Sequence, residues 1–113
     1  SMGGGGSIHL AMKYADKWAA VAPMAPAMPW GLRKLENAKN IPFFVVHGDN
    51  DKVLAVKKTR SFVEQMKELE MTHVYREVKN GDHVTVAWKY LDEIFDFFDK
   101  HVRPAAMPDK TAK

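Results

Sequence analysis

The 113-residue chain contains no cysteine, which removes a disulfide framework as a source of stability. No window of about 18 uncharged apolar residues is present, so no segment reads as a membrane span. Nor does a basic stretch lead into an apolar run at the start, so no secretory signal is visible. These absences set the expectation at a soluble, cytoplasmic protein without a membrane partner. Charge of one sign is also missing. The 17 Lys and Arg stand against 14 Asp and Glu, a net charge of +3, and the basic residues are scattered through mixed-charge segments. The densest run, Lys57-Lys58-Thr59-Arg60, opens a helical pattern where a solvated face accounts for it, so no nucleic-acid partner is expected.

What is present fits one compact domain, since single domains centre on roughly 100–150 residues. The apolar share of 46% and aromatic share of 11% are those of an ordinary globular protein. Ser7 to Tyr14 reads as a short helix with Gly3 to Gly6 in front of it. Ala19-Ala20-Val21-Ala22 is an apolar segment stopped by Pro23 and reads as a buried strand. Met24 to Gly31, with Pro26 and Pro29, must be loop, and Leu32 to Ala38 makes a short polar helix or turn. Ile41 to Val46 is a continuous β-branched and aromatic run of the kind buried on both faces of a parallel sheet, with Pro42 tolerated at its start. Val56 to Leu69 places Phe62, Val63, Met66 and Leu69 on one helical face. His73 to Val78 alternates as an edge strand does, Asn80-Gly81 turns the chain, and Val86 to Val102 reads as one helix with Leu91, Ile94, Phe95, Phe98 and Val102 on its apolar side. Strands alternate with helices, which predicts an α/β fold: a three-layer αβα arrangement with a short parallel sheet of about three strands and helices on both faces. Residues 1–102 form this domain, and 103–113, lacking periodicity, read as a disordered tail.

In open α/β sheets ligands sit at the carboxyl ends of the strands, and there the chain carries Asp49, Asp51 and His83. The motifs Ser1-Met2-Gly3-Gly4, Trp18 to Pro23, Ile41 to Asp51 and Tyr75 to His83 together resemble the C-terminal half of an α/β-hydrolase. The nearest branch is that of esterases, dienelactone hydrolases and prolyl-oligopeptidase-like enzymes. The resemblance covers nearly the whole chain up to His101. It implies a carboxylesterase-type serine hydrolase acting on small esters through an acyl-enzyme, without cofactor or metal. Ser1, Met2 and Gly3 match the last three positions of the Gly-x-Ser-x-Gly elbow, Asp51 falls in His47-Gly48-x-x-Asp, and His83 follows the last strand, in the family's order Ser, Asp, His. The resemblance therefore makes Ser1 the nucleophile, His83 the base, Asp51 the acid that orients it, and the Met2 N–H an oxyanion donor. Leu54 and Ala55 depart from the valine and proline usual after the acid.

Each motif has a plainer alternative. Ser1 to Ser7 has the composition of a cloning scar and flexible linker, and Asp51 could cap the helix entering near Leu54. His83 could be a surface histidine. His47 reads as structural or as a support for the site; His9, His73 and His101 have no such context, and no pair has metal-ligand spacing. Trp30 could line an acyl pocket or shield the core. The hydrolase resemblance starts at the nucleophile, so the strands before it, and the second oxyanion donor on one of their loops, are missing. The strand at Ala19 to Ala22 should then show an open edge. Three outcomes follow: a working ester hydrolase, a catalytically inert self-associating fragment, or a binding module that keeps the pocket. The expected partners are a small-molecule ester and either a second copy, as homodimer or higher oligomer, or a separate N-terminal half.

Overall fold

The computed structural model describes residues 1–103, so the expectation for the tail lies, but for Arg103, outside the described residues. Two parallel strands, β1 (Phe43–Gly48) and β2 (His73–Val78), form the hydrogen-bonded sheet, running in register from Phe43 opposite His73 to Gly48 opposite Val78. All six β1 residues are buried, as a strand covered on both faces requires. Phe43 and Val45 point to one core, Phe44 and Val46 to the other.

The expected third strand is reduced to two isolated parallel bridges, Val21 to Phe43 and Met24 to Val46. Pro23 is the physical reason. The amides of Val21 and Ala25 donate to the carbonyls of Pro42 and Val46, and the bond between them in this series would need an N–H on residue 23, which proline lacks. The segment still runs along β1, because Phe44 and Val46 donate to the carbonyls of Val21 and Pro23 at 2.8 and 3.2 Å. The sheet therefore has a two-strand ladder and a third, interrupted row.

The first helix corrects the sequence expectation. α1 spans Met2–Lys13 and includes the glycines that were expected to precede it. Four glycines cost a helix about 4 kcal/mol relative to alanine, at about 1 kcal/mol each. Burial of Ile8 and Met12 returns about 3–6 kcal/mol at about 1.5–3 kcal/mol per side chain. Two of the glycines are also demanded sterically. A Cβ on Gly4 would lie 2.8 Å from the Met24 carbonyl oxygen and the Pro26 Cα, and one on Gly5 would collide with the Ala27 carbonyl. The glycine face is what lets α1 lie directly on the loop that follows Pro23.

A 3₁₀ helix at Leu32–Ala38 follows, and α2 (Val56–Glu68) buries Phe62, Val63 and Met66 as expected. The final helical segment is broken into α3 (Val86–Lys89) and α4 (Leu91–Lys100) at Tyr90, whose φ of −118° and ψ of 18° leave the helical region. The break allows Val86 and the α4 residues Ile94 and Phe97 to enter the same core. Phe97 is buried, whereas Phe95 and Val102, expected on the apolar side, are exposed. α1, α2 and the 3₁₀ helix cover one face of the sheet and α3 and α4 the other, which is the three-layer arrangement. No described helix is long and apolar enough to cross a membrane.

Candidate active site

Two loops leave the carboxyl ends of β1 and β2 side by side. Asp49 and Asn50 donate their amides to the carbonyls of Val78 and Gly81, and the Asn80 amide donates to Asp49 Oδ1 at 2.7 Å. The approach needs glycine on both sides. A Cβ on Gly48 would collide with the Gly81 carbonyl, and one on Gly81 would lie 2.7–2.9 Å from Val78 and Val86. Asn80, at φ 57°, takes the left-handed conformation that asparagine tolerates better than most residues. Beyond it, Asp82 Oδ1 accepts from the amides of Val84 and Thr85 and from the Thr85 hydroxyl, a side-chain turn that fixes the loop carrying His83.

This lacing brings His83 and Asp51 together: Nδ1 of His83 donates to Asp51 Oδ2 at 2.7 Å. The Asp51 side chain has no solvent exposure and that of His83 has 17%. The other oxygen, Oδ1, accepts the amides of Val53 and Leu54, both at 2.8 Å. Asp51 thus holds His83 with one oxygen and the Val53–Leu54 turn with the other; it does not cap α2, which starts at Val56 with no side-chain cap. Burial works against the Asp51 charge most strongly. Hydrogen bonds from Leu54, His83 and Val53, with the charge of His83, outweigh it and hold the carboxyl below its ordinary value.

His47 is wholly buried against the same carboxylate. Its Nε2 lies 2.9 Å from the Leu54 carbonyl and 3.2 Å from Asp51 Oδ2, and its Nδ1 lies 2.7 Å from Thr59 Oγ1. A carbonyl only accepts, so the hydrogen-bond network assigns the proton to Nε2 and leaves Nδ1 to accept from the Thr59 hydroxyl. His47 supports the Asp51 loop from beneath, as its reading as a structural residue expected. Thr59 was missed; it lies in the run Lys57 to Arg60 read as solvated, and only its i+3 spacing from the buried Phe62 pointed inward.

Ser1 stands at the N-terminus of α1. Its amine donates to the Met24 carbonyl at 3.2 Å, and its carbonyl accepts from Ala27 at 2.8 Å and Gly5 at 3.2 Å. Ala25, held at φ 41°, turns the loop that makes these contacts, a left-handed alanine that costs on the order of 1 kcal/mol or more. Burial lowers the pKa of the Ser1 amine and the Asp51 carboxylate opposes that shift, so the two groups lie within electrostatic reach. Among the described residues no hydrogen bond joins the Ser1 hydroxyl to His83. Met2 begins α1 with its side chain exposed; an amide in the first helical turn has no carbonyl partner inside its helix. Trp30 is 98% exposed and shields no core.

The family model described as PETase, PET hydrolase-like, matches residues 1–93. The chain belongs to this PET hydrolase-like family. Its fold is similar to that of a thermostable esterase, with a TM-score of 0.81 and 25% identity over 91% of this chain and 30% of that one. SOBER1 from Arabidopsis thaliana aligns with a TM-score of 0.74 and 18% identity, covering 89% of this chain and 50% of that one. Est1E from Butyrivibrio proteoclasticus, solved with ferulic acid, aligns with a TM-score of 0.66 and 15% identity over 87% of this chain and 55% of its own. No curated protein matches the chain. The PET hydrolase-like chain thus spans from under a third to about half of the length of these esterases, and its sheet and loops are those of the α/β-hydrolase fold.

Proposed function

We propose that the chain carries the nucleophile, base and acid of a serine hydrolase that cleaves small carboxylic esters. The observation that carries this reading is the 2.7 Å bond from His83 Nδ1 to the buried Asp51 carboxylate. With Nδ1–H donated, Nε2 is left as the acceptor, the tautomer a general base requires. Ser1 Oγ attacks the acyl carbonyl as its proton passes to His83 Nε2, and that proton then leaves with the alcohol. Water, deprotonated by the same nitrogen, releases the acid and restores Ser1. Asp51 stabilises the imidazolium in both steps. The Met2 N–H, at the positive end of α1, faces the oxyanion.

Hydrolysis of p-nitrophenyl acetate, butyrate and benzoate tests the reading, the benzoate because the family is named for an aromatic polyester. Turnover falls to the background rate in Ser1→Ala and His83→Ala if the reading holds. Unchanged rates in either variant contradict it.

The open sheet edge supports a second element of the proposal. Among the described residues, no backbone hydrogen bond uses Ala20 or Ala22, and beside them lies a groove of about 400 Å³ lined by Leu10, Trp18, Leu91, Ile94, Phe95 and Phe98. An unpaired edge beside apolar surface is a template for strand pairing. A second copy of the chain pairs there, edge to edge about a two-fold axis, and a separate N-terminal half is the competing occupant.

A further inference from the structure

A second concave site lies between α1 and the 3₁₀ helix at Leu32–Ala38. It is a cleft of about 860 Å³ whose lining includes His9, Lys13, Trp30, Arg33, Lys34 and Asn37, and none of Ser1, Asp51 and His83 lines it. Its chemistry is one-sided. Lys13, Arg33 and Lys34 line it and no carboxylate does. The acidic neighbours are engaged elsewhere, Glu36 with Lys39 at 3.9 Å and Asp16 with Lys17 at 3.6 Å. Among the described residues, no salt bridge uses Lys13, Arg33 or Lys34. Lys13 instead lies 5.3 Å from the ring of Tyr14. Trp30, almost fully exposed, offers an indole at the same cleft.

We infer that this cleft binds a small anionic ligand built on a flat ring and carrying at least two negative charges. The ring stacks on Trp30, a contact every planar π-system can make. The Arg33 guanidinium pairs with a carboxylate or phosphate through two parallel N–H bonds, while Lys13 and Lys34 act as point charges. Two sources supply this chemistry, an aromatic dicarboxylate and a nucleoside monophosphate.

Isothermal titration calorimetry at low salt distinguishes them, using benzene-1,4-dicarboxylate, adenosine monophosphate and inorganic phosphate against the full chain. One of the two ring dianions binds saturably with one site per chain, and the tighter one names the source. The charge variant Arg33→Glu/Lys34→Glu weakens it at least about tenfold, since it removes two of the three cations and puts two carboxylates in their place. Trp30→Ala weakens it as well, and His83→Ala leaves it unchanged. All the altered cleft side chains are exposed, and cooperative unfolding of each variant confirms its fold. The inference is overturned by no saturable binding, by phosphate binding as tightly as the ring dianions, or by loss of binding in His83→Ala, which locates the ligand at the other site.

Discussion

Asp51 is the residue on which the site turns, because its two oxygens do different work. One holds the Val53–Leu54 turn and the other holds His83. Replacement by asparagine keeps one acceptor but turns an amide toward the His83 N–H or the backbone donors. Asp51→Asn is expected to lose about 1–3 kcal/mol of stability, the cost of leaving buried polar groups unsatisfied, measured by urea unfolding. Its turnover is expected to fall by about 10⁴, as when the carboxylate behind a catalytic histidine is lost. The pH dependence follows from the lowered carboxyl pKa. A carboxylate with a folded pKa below its unfolded value contributes stability above that unfolded value, about 3.9, and loses it as pH falls through the folded one. Melting temperatures from pH 6 to pH 3 should therefore converge between the wild type and Asp51→Asn at the acid end. Parallel curves contradict the assignment. The Asp51 and His83 positions were legible because His47-Gly48-x-x-Asp and Gly81-Asp82-His83 are local motifs at strand ends. Thr59 was not, because its burial depends on His47, 12 residues away.

The elements show where local propensity loses to packing. Glycines disfavour an isolated helix, so the sequence placed them ahead of α1, whereas contact with the Met24 to Ala27 loop makes two of them necessary. The two kinds of glycine separate by mutation. Gly6 has open space around its Cβ position, so Gly6→Ala is expected to gain up to about 1 kcal/mol from helix propensity. Gly5→Ala, with the same propensity gain, is expected to be destabilised through its clash with Ala27. Chemical denaturation of both variants checks the pair, and a stabilised Gly5→Ala contradicts the packing seen here. β1 and α2 were legible because the continuous apolar run of the one and the helical period of the other agree with their burial; β2 was legible as a strand from its alternation, although its burial, intermediate from His73 to Arg76, does not alternate. The interruption at Pro23 and the break at Tyr90 were not. The first concerns which amide faces β1, and the second arises from fitting Val86, Ile94 and Phe97 to a single core.

At the scale of the molecule, the three-layer fold was readable from the alternation of elements, and so was an open edge beside Ala19 to Ala22. The groove along that edge was not, because it joins side chains from α1 and α4. If a second copy covers it, light scattering at micromolar concentration gives a multiple of the monomer mass, and Phe95→Lys returns the monomer. A monomeric wild type contradicts pairing between copies. The same assembly bears on activity, since an error of about 1 Å in the placement of reacting groups can cost roughly 100-fold in rate. The most direct measurement is intact-mass spectrometry after exposure to a fluorophosphonate serine-hydrolase probe, with peptide mapping of the adduct. The account predicts one adduct, on Ser1, absent in His83→Ala. A folded chain that takes no adduct, or takes it on another residue, contradicts the central claim that Ser1, His83 and Asp51 act as one nucleophilic site.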